Sequence, residues 1–501
     1  MKALAQVLVD ECDIGSGDRV AVAMRNYPEW IISYWAVVSI GAAVVGMNAW
    51  WTPKEMVYGL NDSKPKLLIA DTERVTRVAE VLDEVRADHP MKIVAVRHEG
   101  ELPDDAFHWN DIVDVANAPD TLPEVAIDPD DDATIFYTSG TTGFPKGAQL
   151  THRGSVTNLM NLAFMGIEAD HTKAQLDPEH EVAEMGAGDP VISLAPTPLF
   201  HVTACNCGLH PITLLGGTIV LMYKWDTARA IELIEREKVT RVSGVPVMSR
   251  ELLAHPDWQT RDVSSVEAMG GGGAQLQPDL VDKIGDAVGT DGPSTGYGLT
   301  ETHGIVTAVG AQFFIDKPES CGPVVPTLDA KLIDDAGNDI EPSPDATGEL
   351  CVRGSVVIKG YLNKPEATGE AIQDGWFRTG DIARIDDDGY VFIVDRAKDM
   401  VLRGGENVYC SEVESAIFEH DDVVENIVFA VPDERLGEKV GACVVVAEGC
   451  DLTDAELQEF VAERIAKFKV PEQIWFRTEP LPRNANGKFL KREVKAELVG
   501  D

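Results

Sequence analysis

Basic residues are scarce in this sequence: 43 Lys and Arg stand against 84 Asp and Glu in 501 residues, a formal net charge of −41. Non-specific nucleic-acid binding depends on Lys and Arg displacing condensed counterions, so this balance argues against a nucleic-acid partner. Electrostatic docking on anionic lipid is disfavoured for the same reason. A surplus of acid suits a protein of a high-salt, halophilic cytoplasm, where screening relieves self-repulsion. Cysteine is also sparse, with eight at 12, 205, 207, 321, 351, 410, 443 and 450 and no CxxC pair, which excludes a disulfide framework and a zinc site. No cationic segment followed by an apolar run and cleavage site opens the chain, so a cytoplasmic location is expected. Long uncharged runs are nearly absent too. The exception is residues 30–51, 22 residues without a charge, which meets the length of a membrane span. Ser33, Ser39, Gly41, Gly46 and Asn48 interrupt it. Pro28-Glu29 reads as a helix start, Gly41 as its stop and AVVGMN as a buried strand, so no integral membrane segment is expected.

What is present is ordinary globular material, 44% apolar and 25% charged, enough for two to four domains with real cores. Short β-rich runs at 66–71, 92–96, 134–139, 218–222 and 241–245 alternate with helical periodicity. The run ARAIELIEREK at 228–238 reads as an amphipathic crossover helix between two of them, which implies parallel α/β layers. From about residue 320 Gly-punctuated β segments take over, with turn signals DDAG (334–337) and DDDG (386–389). A last α+β stretch of about 100 residues begins near Asp395. Residues 164–189 are acidic and weakly periodic and read as a surface insertion.

The strongest local signal is YTSGTTGFPKG at 137–147, directly after a β-like run. Gly140, Gly143 and Gly147 let backbone amides turn toward an anion, Thr138, Ser139, Thr141 and Thr142 add hydroxyl donors, and Lys146 adds a charge. That composition suits a polyphosphate. A Walker A loop is excluded because Gly147 stands where Ser or Thr is required. The Rossmann pattern fails around 270–273, and no GxSxG elbow surrounds Ser139.

TSGTTGFPKG resembles the signature loop of the acyl-adenylate-forming superfamily, which holds acyl-CoA synthetases, luciferases and peptide-synthetase adenylation domains. Further motifs of that family follow in order: PLFH (198–201), GGGGAQL (270–276), YGLTET (297–302), GELCVRG (348–354), WFRTGD (376–381), DRAKDMVLRGGENVY (395–409) and PRNANGK (482–488). The resemblance implies an α/β fold: a large N-terminal AMP-binding domain of parallel αβ layers plus a β-rich subdomain at 1–395, and a small mobile α+β domain at 396–501. Relatives usually carry several dozen residues before the counterpart of GDRVAVAMRNYPEW (17–30), which reads as a misassigned start or a trimmed first subdomain.

The resemblance also implies two half-reactions: a carboxylate attacks the α-phosphate of ATP to give acyl-AMP and pyrophosphate, and the thiol of CoA then displaces AMP. By motif position Glu301 would hold Mg²⁺ and Thr300 a phosphate. Tyr297 would stack on adenine against a wall of Gly272, Gly273 and Ala274. Asp381 would accept from the ribose hydroxyls and Arg396 would contact ribose and phosphate; an ion pair between the two is the structural alternative. Lys488 would reach the carboxylate and α-phosphate. Lys398 would be a hinge near which the C-terminal domain rotates, bringing Gly404 and Gly405 against the pantetheine arm. His201 would stand at the mouth of the acyl pocket. Phe-His at 200–201, in place of Phe-Asp, favours a free-standing CoA ligase over an amino-acid adenylation domain. NAWWT (48–52) and the KWD after VLMY look like relatives that use medium- or long-chain fatty acids, which is the expected substrate class. An aryl or branched acid, or a carrier protein as acceptor, is the alternative.

Overall fold

In the computed structural model the uncharged stretch divides as its punctuation predicts. Pro28–Ser39 is a helix with Pro at its first turn, Gly41 follows at φ 74°, and Ala43–Gly46 is a fully buried strand. Among the described residues no helix is long and apolar enough to cross a membrane. The structure describes every residue except 139–144, 178, 183–189, 274–275, 290–291, 397–398, 404–405, 434, 485–486 and 501. The chain forms two units, each assembled from separate stretches. Unit 1 is Met1–Lys317, Val324–Asp329 and Val352–Phe377; unit 2 is Pro318–Pro323, Ala330–Cys351 and Arg378–Asp501.

Unit 1 contains two sheets. The first holds β1 (Arg19–Ala23), β2 (Ala43–Gly46), β3 (Leu67–Asp71), β4 (Lys92–Val96), β5 (Ala106–His108), β6 (Asp132–Thr138) and β7 (Lys146–Thr151). The short strand Gly360–Tyr361 borders β7, and the order continues β7-β6-β2-β1-β3-β4-β5. Pairs from β2/β6 to β4/β5 are parallel, and the two at the β7 end are antiparallel. Both faces are buried: along β1, Val20 and Val22 enter one core with Trp30, Val44 and Ile69, while Ala21 and Ala23 enter another with Val45, Leu68 and Ile135. That two-sided burial explains why these strands read as continuous apolar runs rather than alternating ones.

The second sheet holds β8 (Ile192–Ala195), β9 (Thr218–Leu221), β10 (Arg241–Gly244), β11 (Ala268–Gly271), β12 (Pro293–Leu299) and β13 (Gly304–Gly310), in the order β13-β12-β11-β10-β8-β9. All its pairs are parallel except β12/β13. The amphipathic helix forms at Thr227–Glu237, capped by Asp226, and carries the chain from β9 past β8 to β10. One expectation changes. Residues 164–176 of the expected surface insertion form the second half of a 25-residue helix, His152–Leu176, begun by the Thr151 cap, and residues 178 and 183–189 lie outside the described residues. Helix-forming residues such as Ala163, Met165, Glu168, Ala169 and Lys173 carry it on past the point where it stops being buried.

In unit 2, the strands Val401–Arg403, Glu406–Val408, Val423–Asp433, Gly437–Val446 and Gln473–Arg477 form one sheet. The helices Cys410–Phe418 and Asp454–Ala462 pack on it through Val413, Ile417, Leu457 and Val461. This is the α+β texture expected of the C-terminal hundred residues. The DDDG signal is a turn with Gly389 at φ 82°, where only glycine is unstrained, and Asp386 accepts from the amides of Asp388 and Tyr390.

Candidate active site

The phosphate-loop motif lies between two antiparallel strands. β6 ends at Thr138 and β7 begins at Lys146, with Tyr137 opposite Gly147 and Thr138 opposite Lys146. Ser139, Gly140, Thr141, Thr142 and Gly143 lie outside the described residues. The two stems are pinned: the Tyr137 hydroxyl donates to Asp62 Oδ2 at 2.8 Å, and the Tyr58 hydroxyl donates to the Pro145 carbonyl at 2.8 Å. Burial, reinforced by Asp62, pushes the Tyr137 hydroxyl far above its ordinary pKa, so it stays a donor.

The strand Gly360–Tyr361 lies against β7, with Tyr361 opposite Ala148. Tyr361 therefore comes between two motif residues. Lys146 Nζ sits 4.3 Å from the centre of its ring, and its hydroxyl donates to Glu301 Oε1 at 2.9 Å. Burial first and Glu301 second hold that hydroxyl protonated. No motif flagged Tyr361 in the sequence; it joins Lys146 to Glu301 only through strand pairing.

Glu301 occupies a short 3₁₀ turn, Thr300–Thr302, between β12 and β13. The Leu299 amide donates to Thr302 Oγ1 at 3.0 Å, and the Ile358 amide donates to the Glu301 carbonyl at 2.9 Å. Behind the turn is a second residue that sequence reasoning missed. His303 is fully buried in the left-handed region at φ 56°. Its Nε2 accepts from the Thr151 amide at 2.8 Å, so Nδ1 carries the proton and donates to the Val356 carbonyl at 2.6 Å. Burial lowers its pKa to about 4, which keeps the ring neutral and this tautomer in place. A Cβ on Gly154 would lie 2.3 Å from His303 Nε2, so glycine there is what admits the ring. Asn158 Oδ1 accepts from the Ile305 amide at 3.0 Å on the other side. One buried histidine thus ties β7, the 356 segment and the Glu301 turn together.

Glu301 is half-buried and takes the Tyr361 hydroxyl on Oε1. The second oxygen is a hard donor suited to Mg²⁺, which takes one or two carboxylates and completes its shell with water and phosphate. Among the described residues no group of three or more His, Cys, Asp or Glu could hold a metal.

Tyr297 lies on β12 opposite Thr307, at a register shift that follows it. Gly272 and Gly273 follow β11. Gly273 has φ 83°, and a Cβ on Gly272 would stand 3.0 Å from the Gly296 carbonyl. Gly273 is favoured by its backbone and a side chain on Gly272 would crowd β12, and Ala274 lies outside the described residues. Thr300 is half-buried beside Glu301. His201 is half-buried at the start of the helix Val202–Ala204, its ring 4.6 Å from that of Phe200.

Unit 2 carries the remaining candidates. Asp381 and Arg396 are paired across two antiparallel strands, and Arg396 Nε lies 3.2 Å from Asp381 Oδ1. The carboxylate is buried and the guanidinium half in solvent, so the pair presents its cation outward. Lys488 is exposed at the end of a tight turn: its amide donates to Asn484 Oδ1 at 3.0 Å, and the Asn484 amide donates to its carbonyl at 2.8 Å. Arg483 anchors that turn, with Nη2 on Glu425 Oε1 at 2.7 Å and its guanidinium 4.0 Å from the Phe489 ring centre. Lys398, Gly404 and Gly405 lie outside the described residues.

Comparison with known proteins gives the family and the fold. Residues 1–362 match the AMP-binding enzyme family and residues 412–488 its C-terminal domain. The chain is 35% identical over 481 residues to a feruloyl-CoA synthase of an Amycolatopsis species, covering 96% of this chain and 88% of the relative. It is 31% identical over 499 residues to 4-coumarate–CoA ligase 1 of Arabidopsis thaliana, covering 97% and 84%. The fold superposes on ATP-bound MatB of Rhodopseudomonas palustris with a TM-score of 0.82 at 29% identity, covering 100% of this chain and 92% of that one.

Proposed function

Since the chain belongs to the AMP-binding enzyme family within the acyl-adenylate-forming superfamily and is an AMP-forming acid–CoA ligase, we propose that its acid is an aryl acid of the hydroxycinnamate kind. This replaces the fatty acid expected from the NAWWT and KWD runs. Those tryptophans have other duties: Trp51 is buried 5.4 Å from Tyr137, and Trp225 Nε1 donates to Glu251 at 2.5 Å. The observation that carries the aryl reading is the 35% identity to feruloyl-CoA synthase along 481 residues.

The reaction proceeds in two steps. An oxygen of the acid's carboxylate forms a bond to the α-phosphorus of ATP while the bond to pyrophosphate breaks. The CoA thiol then gives up its proton, forms a bond to the acyl carbon and releases AMP. In the first step charge builds on phosphate oxygens, so fixed donors and cations matter most. We assign that work to Thr138, Lys146 and the loop residues 139–143, to Thr300, and to Lys488 for the α-phosphate and carboxylate. Tyr361 positions Glu301 through its 2.9 Å bond. Mg²⁺ carried by ATP would take the second oxygen of Glu301 and supply neutralisation of the polyphosphate. Tyr297 packs the adenine against Gly272, Gly273 and Ala274. Asp381 and Arg396 receive the ribose, with their 3.2 Å pairing orienting the carboxylate. Lys398 is the hinge between functional portions 1–395 and 396–501, and Gly404 and Gly405 border the pantetheine arm. His201 orients the acid at its pocket, and the enzyme works in the cytoplasm.

The test is thioester formation across ferulate, 4-coumarate, benzoate, octanoate and palmitate, with AMP and pyrophosphate measured together. The aryl acids are expected to give the highest kcat/KM. A preference for octanoate or palmitate would overturn the substrate class, and ADP with phosphate as products would overturn the reaction.

A further inference from the structure

Tyr34 and His210 form a buried polar pair in unit 1 that none of these assignments uses. The Tyr34 hydroxyl lies 2.7 Å from His210 Nε2, and the two residues are 2% and 4% exposed. Aromatic rings surround them: Trp30 stacks on Tyr34 at 5.5 Å, and Trp35 lies 5.3 Å from His210. Burial holds the Tyr34 hydroxyl protonated, and burial with His303 nearby lowers His210 to about 4, so both groups are neutral. A hydrogen bond in such surroundings has no water to replace it, so it fixes one arrangement of the elements it joins.

The segment that carries His210 is irregular for a reason written in its sequence. It runs as the helix Val202–Ala204, a π-turn Cys205–Leu209 and the helix His210–Leu214. Pro211 lacks an N–H, and in a regular α-helix its ring would meet the Cys207 carbonyl. The turn ahead of it is widened: the His210 amide donates to the Cys205 carbonyl, five residues back. In this register the donor due to the Asn206 carbonyl would be Pro211, and Asn158 Nδ2 takes that carbonyl instead, at 3.4 Å. The widening also brings Cys205 and His210 onto one face, with Cys205 Sγ 3.8 Å from His210 Nε2.

These contacts lead to both substrate assignments. The Cys205 amide donates to the His201 carbonyl at 2.9 Å, so His201 is placed by the π-turn. The Tyr34 hydroxyl is also 3.4 Å from Thr134 Oγ1, and Thr134 is fully buried on β6, the strand that enters the phosphate loop. Asn158, which holds the Asn206 carbonyl, accepts from the Ile305 amide just after the Glu301 turn. We infer that Tyr34 and His210 are positioning residues for the acid: their bond sets where the π-turn, and with it His201, stands relative to the phosphate loop. The inference rests on the assignment of His201 to the acid pocket.

The experiment uses whichever acid of the panel above gives the highest kcat/KM. It measures KM for the acid, KM for ATP, the rate of pyrophosphate exchange and the melting temperature in wild type, Y34F, H210Q, H210L, Y34F/H210L and H201A. Y34F and H210L are each expected to raise KM for the acid about fivefold, the scale of one neutral hydrogen bond, with KM for ATP within about twofold of wild type. H210Q, whose amide can still meet the Tyr34 hydroxyl, should stay closer to wild type. The double variant leaves neither partner of the bond unpaired, so its melting temperature should recover while KM for the acid stays raised. A wild-type KM for the acid in the double variant, or KM for ATP rising in step with it, would overturn the inference. H201A separates the inference from the reading beneath it. A wild-type KM for the acid in H201A removes His201 from the acid pocket, whereas a raised KM in H201A with none in Y34F/H210L overturns the role of the pair alone.

Discussion

The turn at Thr300–Thr302 in unit 1 and the turn at Asn484–Lys488 in unit 2 each present one charged side chain proposed for adenylation. They hold it in opposite ways. Glu301 is half-buried and bonded to Tyr361, and a neutral buried histidine behind it joins three segments. Lys488 is exposed on a turn fastened at its base by Arg483 and Glu425. A carboxylate that receives an ion gains from being preorganised, because its geometry costs nothing at the moment of reaction. A lysine that must reach a phosphate on demand gains from an exposed position on an anchored turn.

The largest test of that contrast is K488A. It is expected to lower acid-dependent pyrophosphate exchange by about 10³-fold, while thioester formation from supplied acyl-AMP stays within a few-fold of wild type. Equal losses in both half-reactions would remove the division of labour. On the Glu301 side, E301Q should reduce exchange by about 10²-fold. Y361F should reduce it by about tenfold and raise the Mg²⁺ concentration needed for half-activity, since one hydrogen bond to a charged group is lost. If Y361F leaves the Mg²⁺ requirement unchanged, Tyr361 does not position Glu301.

His303 predicts a pH signature of the rigid turn. Its folded pKa, about 4, lies below the ordinary 6.5, so its contribution to stability is complete above pH 6.5 and is lost as pH falls toward 4. For one fully buried ring this amounts to about 3 kcal/mol. Denaturant titrations at several pH values should show H303Q losing stability less steeply than wild type across that window. A parallel pH dependence would break the assignment. G154A, which places a methyl 2.3 Å from the ring, should cost roughly 1–3 kcal/mol at neutral pH. The smallest effect concerns the acidic surface: melting temperature and activity should rise with KCl toward molar levels, and best performance in dilute buffer would contradict it.

Much of the fold was legible because two-sided burial writes continuous apolar runs into β2, β3 and β4, and because the helical period of ARAIELIEREK marks a crossover between strands. The phosphate loop was legible because phosphate chemistry demands particular residue types at close spacing, whereas YGLTET and PRNANGK were legible only through their resemblance to the family's motifs. Tyr361 was not, since it is 60 residues from Glu301 in sequence and meets it only through the strand beside β7. His303 follows Glu301 directly, yet a lone histidine carries no signal of burial; Gly154, the residue that admits it, belongs to another helix.

Charge shows the same division. The sequence by itself determined the net −41 and a cluster of nine Lys and Arg against three Glu at 464–495, which reads as a basic island around Lys488. Tertiary structure decided what that island does. Arg464, Lys469, Arg477, Arg483 and Lys491 pair with Glu419, Glu412, Glu497, Glu425 and Glu414, of which none belongs to the window. Composition counts charges along the chain, whereas the field a substrate meets depends on which opposite charges lie within a few ångströms, and only folding sets those distances.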